Sequence, residues 1–192
     1  MKTNTLYPIF LKTENFTTLI VGGGKVGHEK LHFLLKSSPR AKVKIVSEIF
    51  SNEILTLASG FETVKVVKKA YHEDYLDDAG LVIAATDDRN VNRKIYDDAV
   101  KRNLLVNVAD TPELCHFYLG GIVTKGDLKI GISTNGRSPV LAKRLRGFFE
   151  HALPDNLDLL LENLDAVRRK IGRDLKKRTA ILNELTRDYL DN

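Results

Sequence analysis

Residues 17–35 read TTLIVGGGKVGHEKLHFLL. The run TTLIV (17–21) is short, apolar and β-branched, which predicts a buried strand. It ends in three glycines, and Gly22, Gly24 and Gly27 satisfy G-x-G-x-x-G. Beyond them Val26, Leu31, Leu34 and Leu35 fall on one side of a predicted helix, with charged residues between. Strand, glycine turn and helix in this order give the motif its physical meaning. Gly22 permits the tight turn, Gly24 lets backbone approach a pyrophosphate, and Gly27 lets the helix pack closely on the sheet. Free N–H groups at the helix start, with the helix dipole, then attract the phosphates. The chain has no lysine-serine or lysine-threonine pair after the loop, so a dinucleotide fits and a nucleoside-triphosphate P-loop does not.

The alternation continues outward. VKIV (43–46) predicts a second strand, 51–58 a short helix and FETVKVV (61–67) an alternating strand. LVIAA (81–85), bounded by Gly80 and Thr86, lacks alternation and predicts a fully buried strand. A helix over 89–102, carrying Val91, Ile95, Ala99 and Val100, precedes another buried strand, LLVNV (104–108). The fold class is therefore α/β, with a Rossmann-type parallel sheet covered on both faces. After Pro112 the rhythm changes: residues 117–133 predict a hairpin turning at Lys125-Gly126-Asp127. Ser138-Pro139 marks a helix start, and Leu157, Leu160, Leu161, Leu164, Val167, Ile171, Leu175, Leu182 and Leu185 carry an apolar stripe through an all-helical C-terminal region. The expected division is 1–112, 113–150 and 151–192.

Composition narrows the class. With 192 residues and a hydrophobic fraction of 43%, the chain has material for a packed core. Cys115 is its single cysteine, which excludes an internal disulfide and a multi-thiolate zinc site and suits a reducing compartment. No signal peptide is read at the N-terminus, and the longest apolar runs are strand-sized, so a cytoplasmic protein without a membrane span is expected. The net charge of +5 is spread among 25 acidic residues. The densest basic stretch, Arg168, Arg169, Lys170, Arg173, Lys176, Lys177 and Arg178, reads as the solvated face of a helix, and no nucleic-acid or membrane partner is expected.

Ligands of an open parallel sheet gather at the carboxyl ends of its strands. Ser47 and Glu48 fall there after the second strand, where Glu48 bonds the ribose hydroxyls of NAD and repels a 2′-phosphate; alternatively it sits in the first turn of the next helix. Asp87 and Asp88 follow LVIAAT, with Asp88 read as a helix cap. Asp110 follows LLVNVA, and is either a reactive carboxylate or the head of an Asx-type turn. His28, His32, His72, His116 and His151 are scattered, so no metal site is expected, although His116 lies six residues after Asp110.

PIF (8–10), IVGGGKVGHEK (20–30), AATDDRNVN (84–92), NVADTP (107–112) and ISTNGRSPVLAKRLR (132–146) stand in the order of the precorrin-2 dehydrogenases, which the chain resembles from about residue 6 to 150. That family includes the N-terminal module of siroheme synthases and dehydrogenase–chelatases. The resemblance implies a Rossmann domain, a dimerisation segment whose strands exchange between subunits, and a helical C-terminal region. It implies NAD contacts at Gly22, Gly23, Gly24, Lys25, Val26, Gly27, Ser47, Glu48, Ile49 and Thr86, and a catalytic role for Asp110. Ser133 and Thr134 match the family's serine-rich substrate turn, with threonine in the second place. Gly120 or Gly121 in FYLGG stands in place of the family's usual proline after the aromatic residue. The implied reaction is NAD-dependent oxidation of precorrin-2 to sirohydrochlorin in siroheme biosynthesis, with Arg137, Lys143, Arg144 and Arg146 as candidate partners of the substrate carboxylates. Some members also insert ferrous iron into sirohydrochlorin, and others only dehydrogenate. The rival reading is an NAD-sensing regulatory module without turnover; it does not account for NVADTP together with ISTNGRSP.

Overall fold

The computed structural model describes residues 3–155, 157–171 and 175–187. Arg173 of the basic stretch lies outside them. The chain forms two compact units, one of residues 1–119 with 133–137, the other of residues 120–132 with 138–192.

In the first unit, strands β1 (Thr17–Val21), β2 (Lys42–Ser47), β3 (Val64–Lys68), β4 (Ala79–Ala84) and β5 (Leu105–Val108) form one parallel sheet in the order β3-β2-β1-β4-β5. The order reverses between β1 and β4, which makes that edge the switch point where a crevice opens. TTLIV earns its place at the centre because both of its faces are covered. Leu19 and Val21 join Val82, Ile95, Ala99 and Val106 on one side of the sheet. Ile20 joins Leu31, Leu35, Ile45, Ile54 and Ile83 on the other. Helices α1 (Lys25–Ser37) and α2 (Asn52–Ser59) supply the second side, and α3 (Arg89–Lys101) supplies the first. The segment before β4, which sequence pattern left unassigned, forms a single 3-10 turn (Glu73–Leu76) that buries Leu76.

In the second unit β6 (Gly121–Lys125) and β7 (Leu128–Ile132) pair antiparallel around a two-residue loop, with Gly126 at φ +54°. The Asp127 N–H donates to Asp158 Oδ1 at 2.9 Å, and Lys125 pairs with Asp155. The helical region is not continuous: it divides into α4 (Pro139–Ala152), α5 (Leu157–Lys170) and α6 (Leu175–Thr186). Pro154 ends α4 by forcing the residue before it out of the helical region. Ser138 caps α4, its Oγ accepting the Leu141 N–H at 3.2 Å.

One buried charge fastens α3. Asp98 is only 5% exposed and accepts from Lys94 Nζ at 2.9 Å, Lys101 Nζ at 3.3 Å and the Tyr71 hydroxyl at 3.3 Å. Burial pushes its carboxyl up, but the two ammonium groups outweigh this and hold it below the usual range. Burial and the Asp98 charge push the Tyr71 phenol up, so it remains a donor. A depressed folded pKa contributes stability above the unfolded value, and loses it as pH falls through the folded value. Asp98→Asn is therefore expected to lower the unfolding free energy by about 1–3 kcal/mol at neutral pH. In urea unfolding, the gap to wild type closes below about pH 4; a gap that persists there would assign the effect to packing rather than charge.

Candidate functional site

The turn from β1 into α1 is closed by contacts that leave no room for a Cβ. Gly22 lies at φ +130°, and a Cβ there would meet the Ala85 carbonyl oxygen at 2.2 Å. A Cβ on Gly27 would meet the Gly22 carbonyl oxygen at 2.1 Å, so this glycine packs the helix on the loop itself rather than on a strand side chain. Position 24 is the reverse case, with no heavy atom within 4 Å of a Cβ built there. Gly24 is also the N-cap of α1; no side chain caps the helix, and its first turn carries Lys25 and no acid. Lys25 is exposed and Val26 half-buried. An open glycine face before an uncompensated helix N-terminus fits a pyrophosphate.

The β2–α2 loop is tied to that turn. The Gly22 N–H donates to Val46 O at 2.9 Å, and the Ser51 N–H donates to Gly23 O at 2.8 Å. The Ser47 hydroxyl donates to Ile49 O at 2.8 Å, so its proton shapes the loop. Glu48 is exposed, and Ile49 presents 80% of its surface to solvent. Glu48 precedes α2, whose N-cap is Ser51 and whose first-turn acid is Glu53, so its alternative placement in that turn does not hold.

At the end of β4, Asn92 holds Thr86 through three bonds. Asn92 Oδ1 accepts the Thr86 N–H at 3.2 Å and the Thr86 hydroxyl at 2.7 Å, while Nδ2 donates to Thr86 O at 2.9 Å. Asn92 is buried, and nothing in the sequence pattern of α3 marks it as different from any helical asparagine. Asp88 caps α3, accepting from the Asn90 and Val91 N–H groups at 2.7 and 3.3 Å, as its cap reading expects. Asp87 is exposed.

At the end of β5 the Ala109 N–H donates to Ala84 O at 2.9 Å, and Asp110 follows, exposed, at φ +57°. Among the described residues no group donates to its carboxylate. An Asx turn is not formed, since Pro112 has no N–H to give. His116 is occupied at the outer edge of β5: its N–H donates to Val106 O at 2.8 Å and its Nδ1 accepts the Val106 N–H at 3.4 Å. Asn107, buried, donates through Nδ2 to Phe117 O at 2.8 Å.

Of the substrate candidates, Ser133, Thr134 and Arg137 belong to the first unit and Lys143, Arg144 and Arg146 to the second. Asn135 and Gly136 lie at φ 54° and 73°, and the Arg137 N–H donates to Thr134 O at 3.1 Å, which gives a tight type I′ turn on Asn-Gly. Ser133 Oγ accepts the Asn135 N–H at 3.2 Å. Arg137, Lys143 and Arg144 are exposed, whereas Arg146 Nε lies 3.7 Å from a Glu150 carboxylate oxygen. Among the described residues no three His, Cys, Asp or Glu side chains converge as a metal site.

Comparison with known proteins places this geometry. Residues 9–121 match the NAD(P)-binding family model NAD_binding_7, and residues 125–152 match the model of the sirohaem biosynthesis protein central segment. The chain is 39% identical over 148 residues to the siroheme synthase of Psychrobacter cryohalolentis, covering 77% of itself and 28% of that protein. It is 36% identical over 169 residues to the siroheme synthase of Pseudoalteromonas translucida, covering 88% of itself and 35% of that protein. It thus spans about a third of the length of these relatives. Its fold is similar to that of the solved structure of SirC, precorrin-2 dehydrogenase, with a TM-score of 0.73 and 24% identity, covering 94% of this chain and 89% of that one.

Two glycine substitutions separate cradle from scaffold. Gly24→Ala meets no protein atom, so its melting temperature should match wild type while its NAD affinity, read by calorimetry, falls about tenfold or more. Gly27→Ala should lose about 1–3 kcal/mol of stability as well as binding. Equal NAD affinity in Gly24→Ala and wild type would remove the phosphate cradle from this loop.

Proposed function

This chain belongs to the NAD(P)-binding family, and from that premise we propose that it oxidises precorrin-2 to sirohydrochlorin with NAD as acceptor, in siroheme biosynthesis. The observation that carries the proposal is Asp110: an unencumbered carboxylate at the carboxyl end of β5, on the same edge of the sheet as the glycine loop. Strands β1, β4 and β5 are neighbours in that order. With strands about 4.8 Å apart, the ends of β1 and β5 stand roughly 10 Å from each other. The glycine loop and Asp110 can therefore serve the two ends of one crevice, with Thr86 between them.

The reaction removes one hydride and one proton from the reduced tetrapyrrole to extend its conjugation, and the two electrons leave with the hydride. NAD, when bound, supplies the hydride acceptor. The protein's part is to orient the substrate and take the proton, which we assign to an Asp110 carboxylate oxygen. Precorrin-2 carries eight carboxylates, and exposed Arg137, Lys143 and Arg144 are proposed as their partners. Arg146 joins them only by giving up Glu150. Exposed Glu48, beyond the end of β2, supports NAD over NADP, because a second anion would be repelled there. Exposed Val140, Leu141 and Phe148 on α4 support a homodimer. Among the described residues no helix is long and apolar enough to cross a membrane.

Anaerobic incubation with precorrin-2 and NAD tests the reaction, read by NADH absorbance and the tetrapyrrole spectrum. The expected result is stoichiometric NADH and sirohydrochlorin; ferrous iron added afterwards then reads any iron insertion. NAD binding without NADH formation would replace the enzyme by an NAD-sensing module. Asp110→Asn is the matched variant, since asparagine tolerates the same backbone conformation. It should bind NAD as wild type does and lose about 10²–10⁴ in kcat; full turnover would remove the assignment.

A further inference from the structure

The turn that carries Asp110 is tied at both ends to one sulfur atom. Residues 108–111 form a four-residue turn closed by the Thr111 N–H donating to Val108 O at 3.3 Å, with Asp110 in its third place. A non-glycine residue at φ +57° there costs on the order of 1 kcal/mol, and persists where its surroundings over-determine it. Cys115 supplies that determination. Its Sγ accepts the Val108 N–H at 3.3 Å and lies 3.2 Å from Val108 O and 3.3 Å from Thr111 O. Asn107 Nδ2 approaches the same sulfur at 3.4 Å. The single S–H proton serves one carbonyl at a time, and the first and fourth residues of the turn each present one within reach. Burial pushes the thiol above its usual range, which keeps that proton in place at neutral pH.

β5 is the edge strand of the sheet, and its outer N–H and C=O groups need partners. His116 takes those of Val106, and Cys115 takes those of Val108, the last strand residue before the turn. The register of the chain on either side of Asp110 is therefore fixed by two consecutive residues of the returning segment. The structure assigns Cys115 as a positioning residue that sets the direction of the Asp110 carboxylate through the Val108–Thr111 turn. The assignment rests on Asp110 being the proton acceptor proposed above. Serine retains a donor and an acceptor at this place, but its smaller atom on a shorter bond does not span both ends of the turn. Alanine retains neither.

The test uses the full chain with precorrin-2 and NAD in steady state, comparing Cys115→Ala, Cys115→Ser, Asp110→Asn and the double variant Asp110→Asn/Cys115→Ala. The expected kcat of Cys115→Ala is about 10–100-fold down, with KM for NAD and the calorimetric NAD affinity unchanged. Cys115→Ser recovers part of that loss. The double variant is no slower than Asp110→Asn alone, because Cys115 acts through a carboxylate already removed. If Asp110→Asn turns over like wild type, the proton-acceptor reading fails and this assignment falls with it. If Asp110→Asn is impaired while Cys115→Ala keeps wild-type kcat, the positioning role alone is overturned. It is equally overturned if the double variant shows the product of the two single losses, or if Cys115→Ala merely melts early with kcat per folded molecule unchanged. Should Cys115→Ala fail to fold, Cys115→Ser carries the same comparison.

Discussion

The absence of a side chain at position 27 lets the first turn of α1 rest on the carbonyl of Gly22, and the geometry of the crevice descends from that contact. It fixes where the helix begins relative to the end of β1, and so where its unpaired N–H groups point. The same glycine turn gives its Gly22 N–H to β2 and takes the Ser51 N–H at Gly23, which holds the β2–α2 loop beside it. Ser47 then bends that loop on its own carbonyl, leaving Glu48 and Ile49 outside. The open turn at Gly24, and an acid and an apolar side chain beside it, thus come from one close backbone approach.

The far side of the crevice is built differently. The ends of β4 and β5 are held by buried or half-buried polar side chains: Asn92 on Thr86, Asn107 on Phe117, Cys115 on Val108. Leaving any of these groups without its partner costs about 1–3 kcal/mol, so each bond also forbids the alternatives. The Asp110 carboxylate, like that of Asp87, meets no donor among the described residues. Fastened neighbours around a free acceptor suit the proton transfer proposed for Asp110.

Much of the first side was legible in the sequence because it depends on short-range pattern. A β-branched run into G-x-G-x-x-G and an apolar helical face needs no knowledge of distant residues, and TTLIV is buried on both sides as its lack of alternation implies. Asp88 as a cap follows from its place before α3. The far side was not legible because its bonds join residues whose meeting depends on the sheet. Asn92 is one polar residue in a polar helix until β4 delivers Thr86 beside it. Cys115 reads only as a single cysteine that excludes a disulfide until the chain returns along β5. The Asx reading of Asp110 fails on local sequence alone, since Pro112 at the required position has no N–H. The tail is helical as its pattern reads, and Pro154 divides it, ending α4 before the leucine stripe begins at Leu157.

The identity of residue 110 argues for chemistry on conformational grounds alone. At φ +57° glycine would carry no steric penalty and asparagine little, and either would satisfy the turn. Aspartate shares the tolerance of asparagine for this region but adds a charge that the surrounding structure does not use, because no donor among the described residues meets it. What aspartate has and both alternatives lack is an ionisable oxygen, exposed at the end of β5 where the sheet's ligands gather. The turn does not use that oxygen, which leaves it available for the proton loss we propose to accompany hydride transfer.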